Sequence, residues 1–307
     1  MNYVDKLVIL QKVTEKTQTE LADFLGVSFP TLNSWLNGKS IPRNKAQERI
    51  DLLYQEYTGV DRVDESSLSA KKQKIAALQK KYPDPLNTII RRKDLYDTFV
   101  LELTYHTNSI EGSTLNEPEV KAVIFDNAVI PDKTVIEHQE AKNHQAALAS
   151  LFKQLNDNRE TRISEDEIKK MHAILMNGIY PNAGQYRTHP VRIVSSRVVT
   201  ANYIKIEELM RKHVTELKKK PADVFTHLVQ THAHFEQIHP FSDGNGRVGR
   251  LLLHALAARY SLPPVLIKRE KKQAYYTYLE RAQIKDEYMF LESFICDAIL
   301  EAYKLLK

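Results

Sequence analysis

The segment His239-Pro-Phe-Ser-Asp-Gly-Asn-Gly-Arg-Val-Gly-Arg250 joins two helical patterns through a glycine-rich turn. The glycines let backbone N–H groups approach an anion closely, and the helix predicted to begin near Asn245 turns its positive end towards the same place. Arg247 and Arg250 are three residues apart, so they lie on one face of that first turn, where two guanidinium groups suit a polyphosphate. The segment therefore predicts a phosphate-binding loop at the start of a helix.

Two further side chains of this segment bring chemistry to the predicted loop. Asp243 places a carboxylate beside the phosphates, and Mg²⁺ usually binds one or two carboxylates together with phosphate oxygens. His239 ends the preceding helix at the mouth of the loop, where it can accept a proton at neutral pH. A glycine turn or a His-Pro helix end is common by itself, but these polar residues have no packing reason to crowd one turn. Together they predict a site that activates a hydroxyl beside bound phosphates.

The bulk properties of the 307 residues narrow the class of protein. The single cysteine, Cys296, excludes an intramolecular disulfide framework and a cysteine-based zinc site. No apolar run approaches the roughly 20 residues of a membrane span, and the first residues lack the apolar stretch of a signal peptide. We therefore expect a cytoplasmic protein without a membrane partner. The formal net charge of +5 permits nucleic-acid binding without demanding it.

Sequence patterns divide the chain into three parts and predict a mainly α fold. Residues 1–57 read as a helix-turn-helix domain, residues 58–90 as a linker with a Lys-rich helix, and residues 91–307 as a larger helical domain. Within the larger domain Val191 to Thr200 is β-branched and alternating, which predicts a small β-hairpin. Helical periodicity is found over Leu95–Ser109, Thr134–Leu155, Ser164–Gly178, Lys205–Lys218, Ala222–His239, Asn245–Tyr260 and Gln273–Lys285.

The segment from His239 to Arg250 resembles the Fic family motif, His-Pro-Phe-x-(Asp/Glu)-Gly-Asn-Gly-Arg-x-x-Arg, at every defined position. The resemblance implies an all-helical Fic domain with a β-hairpin flap that transfers AMP from ATP, with Mg²⁺, to a Ser, Thr or Tyr hydroxyl. The target would be another protein or the chain itself. His239 would be the general base, Asp243 the Mg²⁺ ligand and Phe241 a core residue. The phosphates would be held by Gly244, Asn245, Gly246, Arg247 and Arg250.

Two other segments resemble the parts of the family that enclose the nucleotide. The hairpin around Ile193–Val198 resembles the flap, so the resemblance implies that Val194, Ser195 and Ser196 cover the nucleotide and that free strand edges pair with a target segment. The helix beginning near Gln273 resembles the adenosine side, with candidates Tyr275, Tyr276 and Gln283. The family often has Asn where Gln283 stands. The alternatives are an ordinary exposed hairpin and a set of core aromatic residues.

Upstream, Thr107-Asn-Ser-Ile-Glu-Gly112 ends the predicted inhibitory helix 95–112, with Gly112 as the stop. It resembles the family's inhibitory pattern, (Ser/Thr)-x-x-x-Glu-(Gly/Asn). The resemblance implies that Glu111 pairs with Arg250 and occupies the place of the γ-phosphate. A carboxylate competes with phosphate there only if the site is screened from water. The alternative is an exposed glutamate at a helix end.

The region Gln18–Asn37 resembles the helix-turn-helix of phage-repressor-like regulators. The resemblance implies base contacts from Ser28, Thr31 and Asn33, with Lys39 and Arg43 on phosphates. However, residues 1–57 hold seven Lys and Arg against seven Asp and Glu, so the unit is neutral, whereas strong phosphate-driven binders are basic. DNA binding and a protein-interaction or homodimerisation role both stay open.

Several activities are compatible with the sequence. The alternative to an AMP-transferring enzyme is a DNA-binding transcriptional regulator with a nucleotide-sensing Fic domain, although a mere binder needs no base at His239. Removal of AMP by the same site is a further alternative. So is a change of donor, since relatives transfer UMP, phosphate or phosphocholine.

Overall fold

The computed structural model describes residues 1–59, 63–157, 163–194 and 196–307. Over these ranges the chain forms fifteen α-helices, two short 3₁₀ turns and no strand. The 3₁₀ turns are Tyr203–Lys205 and Arg269–Lys271. The helices are α1 (Tyr3–Thr14), α2 (Gln18–Leu25), α3 (Phe29–Leu36), α4 (Asn44–Thr58), α5 (Glu65–Lys81), α6 (Pro85–Arg91), α7 (Lys93–Glu111), α8 (Glu117–Phe125), α9 (Val135–Asp157), α10 (Glu165–Leu175), α11 (Ile206–Leu217), α12 (Val224–Ile238), α13 (Asn245–Arg259), α14 (Lys272–Lys285) and α15 (Tyr288–Leu305).

Helices α1 to α4 enclose an apolar cluster of their own, which includes Leu7, Leu32 and Trp35. Gly26 ends α2 with a φ of +72°, a left-handed conformation that favours glycine. The Ser28 side chain then caps α3 by accepting the Thr31 N–H. The two short helices around a glycine turn form the helix-turn-helix arrangement that the sequence predicts.

Helix α5 is packed into the main body, although its Lys-rich sequence reads as part of a linker. Its buried side chains Leu68 and Ile75 belong to the same apolar cluster as helices α6 to α15. On the neighbouring face, Lys71 forms an ion pair of 2.7 Å with Asp297 of α15. The segment after the helix-turn-helix therefore contributes to the core instead of merely connecting two units.

The seven helices predicted between residues 95 and 285 are present as α7 and α9 to α14, with ends that shift by a few residues. Helices α12 and α13 lie side by side and are joined by the loop that begins at His239. Helices α7 and α9 pack on α13, and α14 packs on α12. This arrangement surrounds the loop with the ends of several helices. None of the described helices combines the length and the hydropathy of a membrane span.

The segment 191–200 departs from the predicted β-hairpin, because its described residues form no strand. Val194 and Val199 are exposed, while Val198 is buried. The Ser196 hydroxyl instead donates to Glu280 of α14 over 2.9 Å. The prediction is corrected to a loop that is tied to α14.

Candidate active site

The loop from His239 to Asn245 is shaped by residues with left-handed backbone conformations and by an asparagine brace. His239 has a φ of +50° where α12 ends, and Gly244 has a φ of +74° where α13 begins. A Cβ at Gly244 would lie 2.8 Å from the Met176 Sδ, so this position requires glycine for two reasons. The buried Asn245 side chain accepts the Phe241 N–H and donates to the Phe241 carbonyl oxygen, both over 2.8 Å. Its amide therefore holds the loop closed.

His239 is prepared to accept a proton at neutral pH. Its Nδ1 lies 3.1 Å from the Glu236 carbonyl oxygen, which can only accept, so Nδ1 carries the hydrogen. In the neutral ring Nε2 then keeps its lone pair. Burial lowers the pKa of His239 below its ordinary value, against the opposing effect of the Glu236 carbonyl. The neutral, proton-accepting form therefore prevails in neutral solution.

His172 of α10 packs against the loop, and sequence reasoning missed it. Its ring stacks on Phe241, with ring centroids 3.8 Å apart and planes 4° from parallel. It accepts the Gly184 N–H at Nδ1 over 2.7 Å and donates from Nε2 to the Asp243 carbonyl oxygen over 3.1 Å. Burial lowers the pKa of His172 to about 4, which keeps the ring neutral with this hydrogen pattern. Phe241 is fully buried, as the resemblance implies.

Arg187 fixes the other side of the loop and was also missed by sequence reasoning. The side chain is 3% exposed. It donates to the carbonyl oxygens of His239 (2.7 Å), His189 (2.8 Å) and Ala201 (2.6 Å). One buried guanidinium thereby ties the end of α12 to His189 and Ala201, which lie before and after the segment 191–200.

The structure brings Glu111 to Arg250. Arg250 donates from Nε to the Thr107 hydroxyl over 2.6 Å and forms an ion pair with Glu111 through Nη2. Loss of water contact raises the pKa of Glu111, but the charge of Arg250 outweighs this effect and holds the pKa below its ordinary value. Gly246 makes room for the pair, because a Cβ there would collide with the Glu111 carboxylate. Gly112 ends α7 with a φ of +110°, as predicted.

The second motif arginine also faces a carboxylate. Arg247 donates to Glu140 of α9 over 2.7 Å, and its side chain is 3% exposed. Glu140 was missed because only the packing of α9 on α13 brings it to the loop. Asp243 lies at the open edge, with a side chain that is 62% exposed and 4.0 Å from Arg247. One Asp243 oxygen accepts the Gly244 N–H over 2.6 Å.

The candidates for the adenosine side lie in different environments. Tyr275 is fully buried, and its hydroxyl hydrogen-bonds the His232 Nε2 over 2.7 Å, so it is mainly a core residue. Tyr276 packs beside it with ring centroids 5.2 Å apart and is partly exposed. Gln283 donates its side-chain N–H to the Ala233 carbonyl oxygen over 3.1 Å. The Gln283 side-chain amide therefore forms a hydrogen bond that joins α14 to α12.

Two of the residues expected to cover the nucleotide, Val194 and Ser196, lie in the loop that is bonded to α14. Val194 is 90% exposed, and Ser196 is bonded to Glu280. Arg197 adds an ion pair of 2.8 Å with the same carboxylate. Ser195 lies outside the described residues.

The residues predicted to contact DNA lie on or beside α3. The Ser28 hydroxyl is 2.8 Å from the Thr31 hydroxyl, and Asn33 accepts from the Asn37 side chain over 2.8 Å. Lys39 and Arg43 are exposed in the segment that leads to α4.

Comparison with known proteins identifies two parts of the chain. Residues 162–257 match the Fic/DOC family, and residues 15–46 match a helix-turn-helix. Protein adenylyltransferase fic-1 from Caenorhabditis elegans is 33% identical over 204 residues, which cover 65% of this chain and 39% of that protein. Protein adenylyltransferase Fic from Nematostella vectensis is 29% identical over 249 residues, which cover 80% of this chain and 54% of that protein. The chain thus spans only part of the length of these curated relatives.

Solved structures share the fold. A Fic-1 fragment from Caenorhabditis elegans has a TM-score of 0.66 at 23% identity, covering 94% of this chain and 84% of that one. A Fic domain containing signaling protein from Bacteroides thetaiotaomicron has a TM-score of 0.65 at 23% identity, covering 78% and 97%. Residues 162–257, which contain α12, the loop and α13, therefore match the Fic/DOC family, the segment 15–46 before them matches a helix-turn-helix, and the solved structures show that the fold is shared.

Proposed function

We propose that this chain transfers AMP from ATP to a Ser, Thr or Tyr hydroxyl of a protein. The observation that carries the proposal is His239, whose ring is held neutral with Nε2 as acceptor beside the N-terminal turn of α13 and the buried Arg247 and Arg250. A site that only binds nucleotide needs no such base. The curated relatives are named protein adenylyltransferases, which supports the same activity.

The reaction exchanges one phosphoanhydride bond for a phosphodiester bond. The target oxygen attacks the α-phosphorus and forms the new P–O bond, while the bond to the β-phosphate breaks and pyrophosphate leaves. His239 accepts the hydroxyl proton at Nε2. The N–H groups of Gly244 to Gly246 at the start of α13 hold the phosphates, together with Arg247 and Arg250. Phosphate transfer depends mainly on such positioning and charge neutralisation.

Asp243 is the residue that would hold Mg²⁺. Its carboxylate is exposed at the mouth of the loop, and Mg²⁺ needs only one or two protein carboxylates when phosphate oxygens and water complete its shell. Among the described residues no group of three ligands forms a site without phosphate. The residues therefore fit an ion that arrives with ATP, and the bound ion would neutralise phosphate charge.

The remaining assignments follow the same proposal. Tyr276, with Tyr275 behind it, and Gln283 would form the adenosine side, which requires Gln283 to leave Ala233. Val194, Ser195 and Ser196 would close over the nucleotide, which requires the loop to leave Glu280. We assign residues 1–57 to the helix-turn-helix domain, 58–90 to the linking segment and 91–307 to the Fic domain.

Glu111 would restrain this activity by occupying Arg250. A terminal phosphate and the Glu111 carboxylate need the same guanidinium nitrogens, and the pair sits in a cleft where Arg250 is 3% exposed. ATP must therefore displace an ion pair before its phosphates are fully held. The unchanged chain is therefore expected to transfer AMP slowly.

Labelling with ATP that carries the label on its α-phosphate tests both the AMP transfer and its inhibition by Glu111. Glu111→Gly should raise label transfer to protein at least about tenfold, the effect of freeing one buried ion pair. His239→Ala in the Glu111→Gly background should abolish it, because the base is lost. Mass spectrometry of the labelled protein identifies the donor and the target. An unchanged rate in Glu111→Gly would remove the inhibition, and label transfer that survives His239→Ala would remove the proposed base.

A second candidate function is DNA contact by the N-terminal unit, favoured by the helix-turn-helix match and by the exposed Lys39 and Arg43. The neutral charge of residues 1–57 favours weak binding or a protein partner, including a second copy of the chain. A gel shift on genomic fragments at several salt concentrations tests DNA contact. Incubation of an AMP-modified target with the unmodified chain tests the reverse reaction.

A further inference from the structure

A single arginine outside the site, Arg269, connects the helix-turn-helix to the helix that ends in Glu111. Its guanidinium forms an ion pair with Glu15 at the end of α1. It also donates to the Tyr105 hydroxyl of α7 over 2.8 Å. The Arg269 N–H donates to Nδ1 of His106, the next residue of α7, over 3.1 Å. One residue therefore holds α1 and α7 at the same time.

The neighbouring contacts seat the helix-turn-helix on the start of α14. Lys271 forms an ion pair of 2.8 Å with Glu56 of α4. The Thr277 hydroxyl is 3.2 Å from the Thr58 carbonyl oxygen. Gly59 follows with a φ of +76°, and a Cβ there would lie 2.8 Å from the Thr277 Cβ. The two units are thus in close contact, and glycine is required at the contact.

The position of these contacts on α7 gives them a consequence for the site. Tyr105 and Glu111 are separated by six residues, or about 9 Å of helix. A continuous helix transmits a restraint over that distance, because its backbone hydrogen bonds keep successive turns in register. We infer that Arg269 is a positioning residue through which the helix-turn-helix holds Glu111 on Arg250. This inference rests on the inhibition proposed above.

The ion pair between Arg269 and Glu15 is weak enough for a binding partner to break it. The side chains of Arg269 and Glu15 are 28% and 65% exposed, so the ion pair is weak and can be broken by a partner that competes for either residue. A ligand that binds the helix-turn-helix and breaks its contact with α7 would favour the state in which Glu111 has left Arg250. By the same coupling, nucleotide binding at Arg250 would favour the release of α7 from the helix-turn-helix to the same degree.

Hydrogen exchange measures the restraint without any enzymatic activity. We expect Arg269→Ala and Glu15→Ala in the full chain to speed amide exchange over residues 107–111 at least about threefold, since each breaks the connection between α1 and α7. The control is Lys6→Ala, which removes an ion pair of 2.7 Å with Asp51 inside the helix-turn-helix. The control should leave the exchange of α7 unchanged. Unchanged exchange in Arg269→Ala would overturn the inference.

AMP transfer then tests whether Arg269 acts through Glu111. Arg269→Ala should raise transfer at least about threefold in the otherwise unchanged chain and leave it unchanged in the Glu111→Gly background. The paired exchange Glu15→Arg with Arg269→Glu should restore the slow rate, because the ion pair is rebuilt and the new carboxylate can still accept from the Tyr105 hydroxyl. A general loss of packing would not be rescued in this way.

The outcomes separate this inference from the proposed function. Absence of transfer in Glu111→Gly would contradict the proposed function, while hydrogen exchange would still decide whether Arg269 restrains α7. Equal effects of Arg269→Ala with and without Glu111, or a failure of the paired exchange to restore the rate, would overturn the role of Arg269.

Discussion

Glu236 is a buried carboxyl group one turn before His239, in contact with the glycine that precedes Arg250. The residue is 5% exposed, and Oε1 has no hydrogen-bond partner among the described residues. Gly249 makes room for it, because a Cβ there would collide with Oε1. Burial raises the pKa of Glu236 to about 8, although Arg250 opposes the shift. The carboxyl group is therefore mostly protonated in neutral solution.

The raised pKa makes Glu236 a source of instability in alkaline solution. As the pH rises from about 4.5 to about 8, the unfolded chain releases this proton while the folded chain retains it, so stability is lost across that window. Glu236→Gln should remove the loss and raise the free energy of unfolding at pH 8 by roughly 4 kcal/mol, with little change at pH 4.

Urea unfolding at several pH values checks this prediction. The control is Glu48→Gln on the exposed face of α4. A Glu236→Gln difference that is the same at pH 4 and pH 8 would contradict the protonated, buried carboxyl group.

At the scale of single residues, the sequence predicts the site residues that belong to the loop itself. His239, Gly244 and Arg250 lie within one segment of twelve residues, and their residue types suffice to predict an anion site. Glu140 and His172 reach the same loop from other helices, and a glutamate or histidine on a helix has no local pattern that reveals its partner. Their positions follow only from the packing of α9 and α10 on α13.

At the scale of elements, helix ends were predictable where a capping residue marks them. Ser28 begins α3 and Gly112 ends α7, as expected from their side chains and from the conformational freedom of glycine. Helix α15 was not predicted, because it is buried on most sides and so lacks the alternation of an amphipathic helix. Helix α5 lies within the predicted linker 58–90, and its packing was not apparent from the sequence because Leu68 and Ile75 are its only buried side chains.

The packing of α5 leads to a prediction about stability. Ile75 is fully buried in the main apolar cluster, so Ile75→Ala should cost about 2–4 kcal/mol of unfolding free energy by leaving a cavity. The neighbouring exposed Lys74→Ala should change the stability by less than about 0.5 kcal/mol. Chemical denaturation followed by circular dichroism measures both. A cost for Ile75→Ala as small as that of the control would indicate a free linker helix.

At the scale of the whole molecule, the main body contains many buried neutral histidines. Burial lowers the pKa of each below the ordinary value of 6.5, to about 4 for His172 and about 3 for His213, His232 and His254. Below pH 6.5 the unfolded chain binds protons that the folded chain does not, so stability falls as the pH falls. The fold is therefore expected to be sensitive to mild acid.

His213 is suited to a direct test of acid sensitivity, because neither ring nitrogen has a hydrogen-bond partner among the described residues. His213→Leu should raise the free energy of unfolding at pH 5 by about 2 kcal/mol more than at pH 8, the cost of keeping one histidine neutral. Melting temperatures across this pH range measure the effect, with the exposed His189→Leu as the control. Parallel pH profiles for His213→Leu and the unchanged chain would contradict it.

The pairing of both motif arginines with carboxylates also sets the electrostatic character of the cleft. Arg247 and Arg250 bring two positive charges, while Glu140, Glu111 and the exposed Asp243 bring three negative ones. Such a cleft exerts little long-range attraction on an anion, and salt screens what remains beyond about 8–10 Å. Free phosphate and other small anions are therefore not concentrated there. The cleft binds only a ligand that can displace a carboxylate from its arginine on contact. Ligands are therefore selected at the step in which an arginine exchanges its carboxylate for the ligand, and not during diffusion towards the cleft.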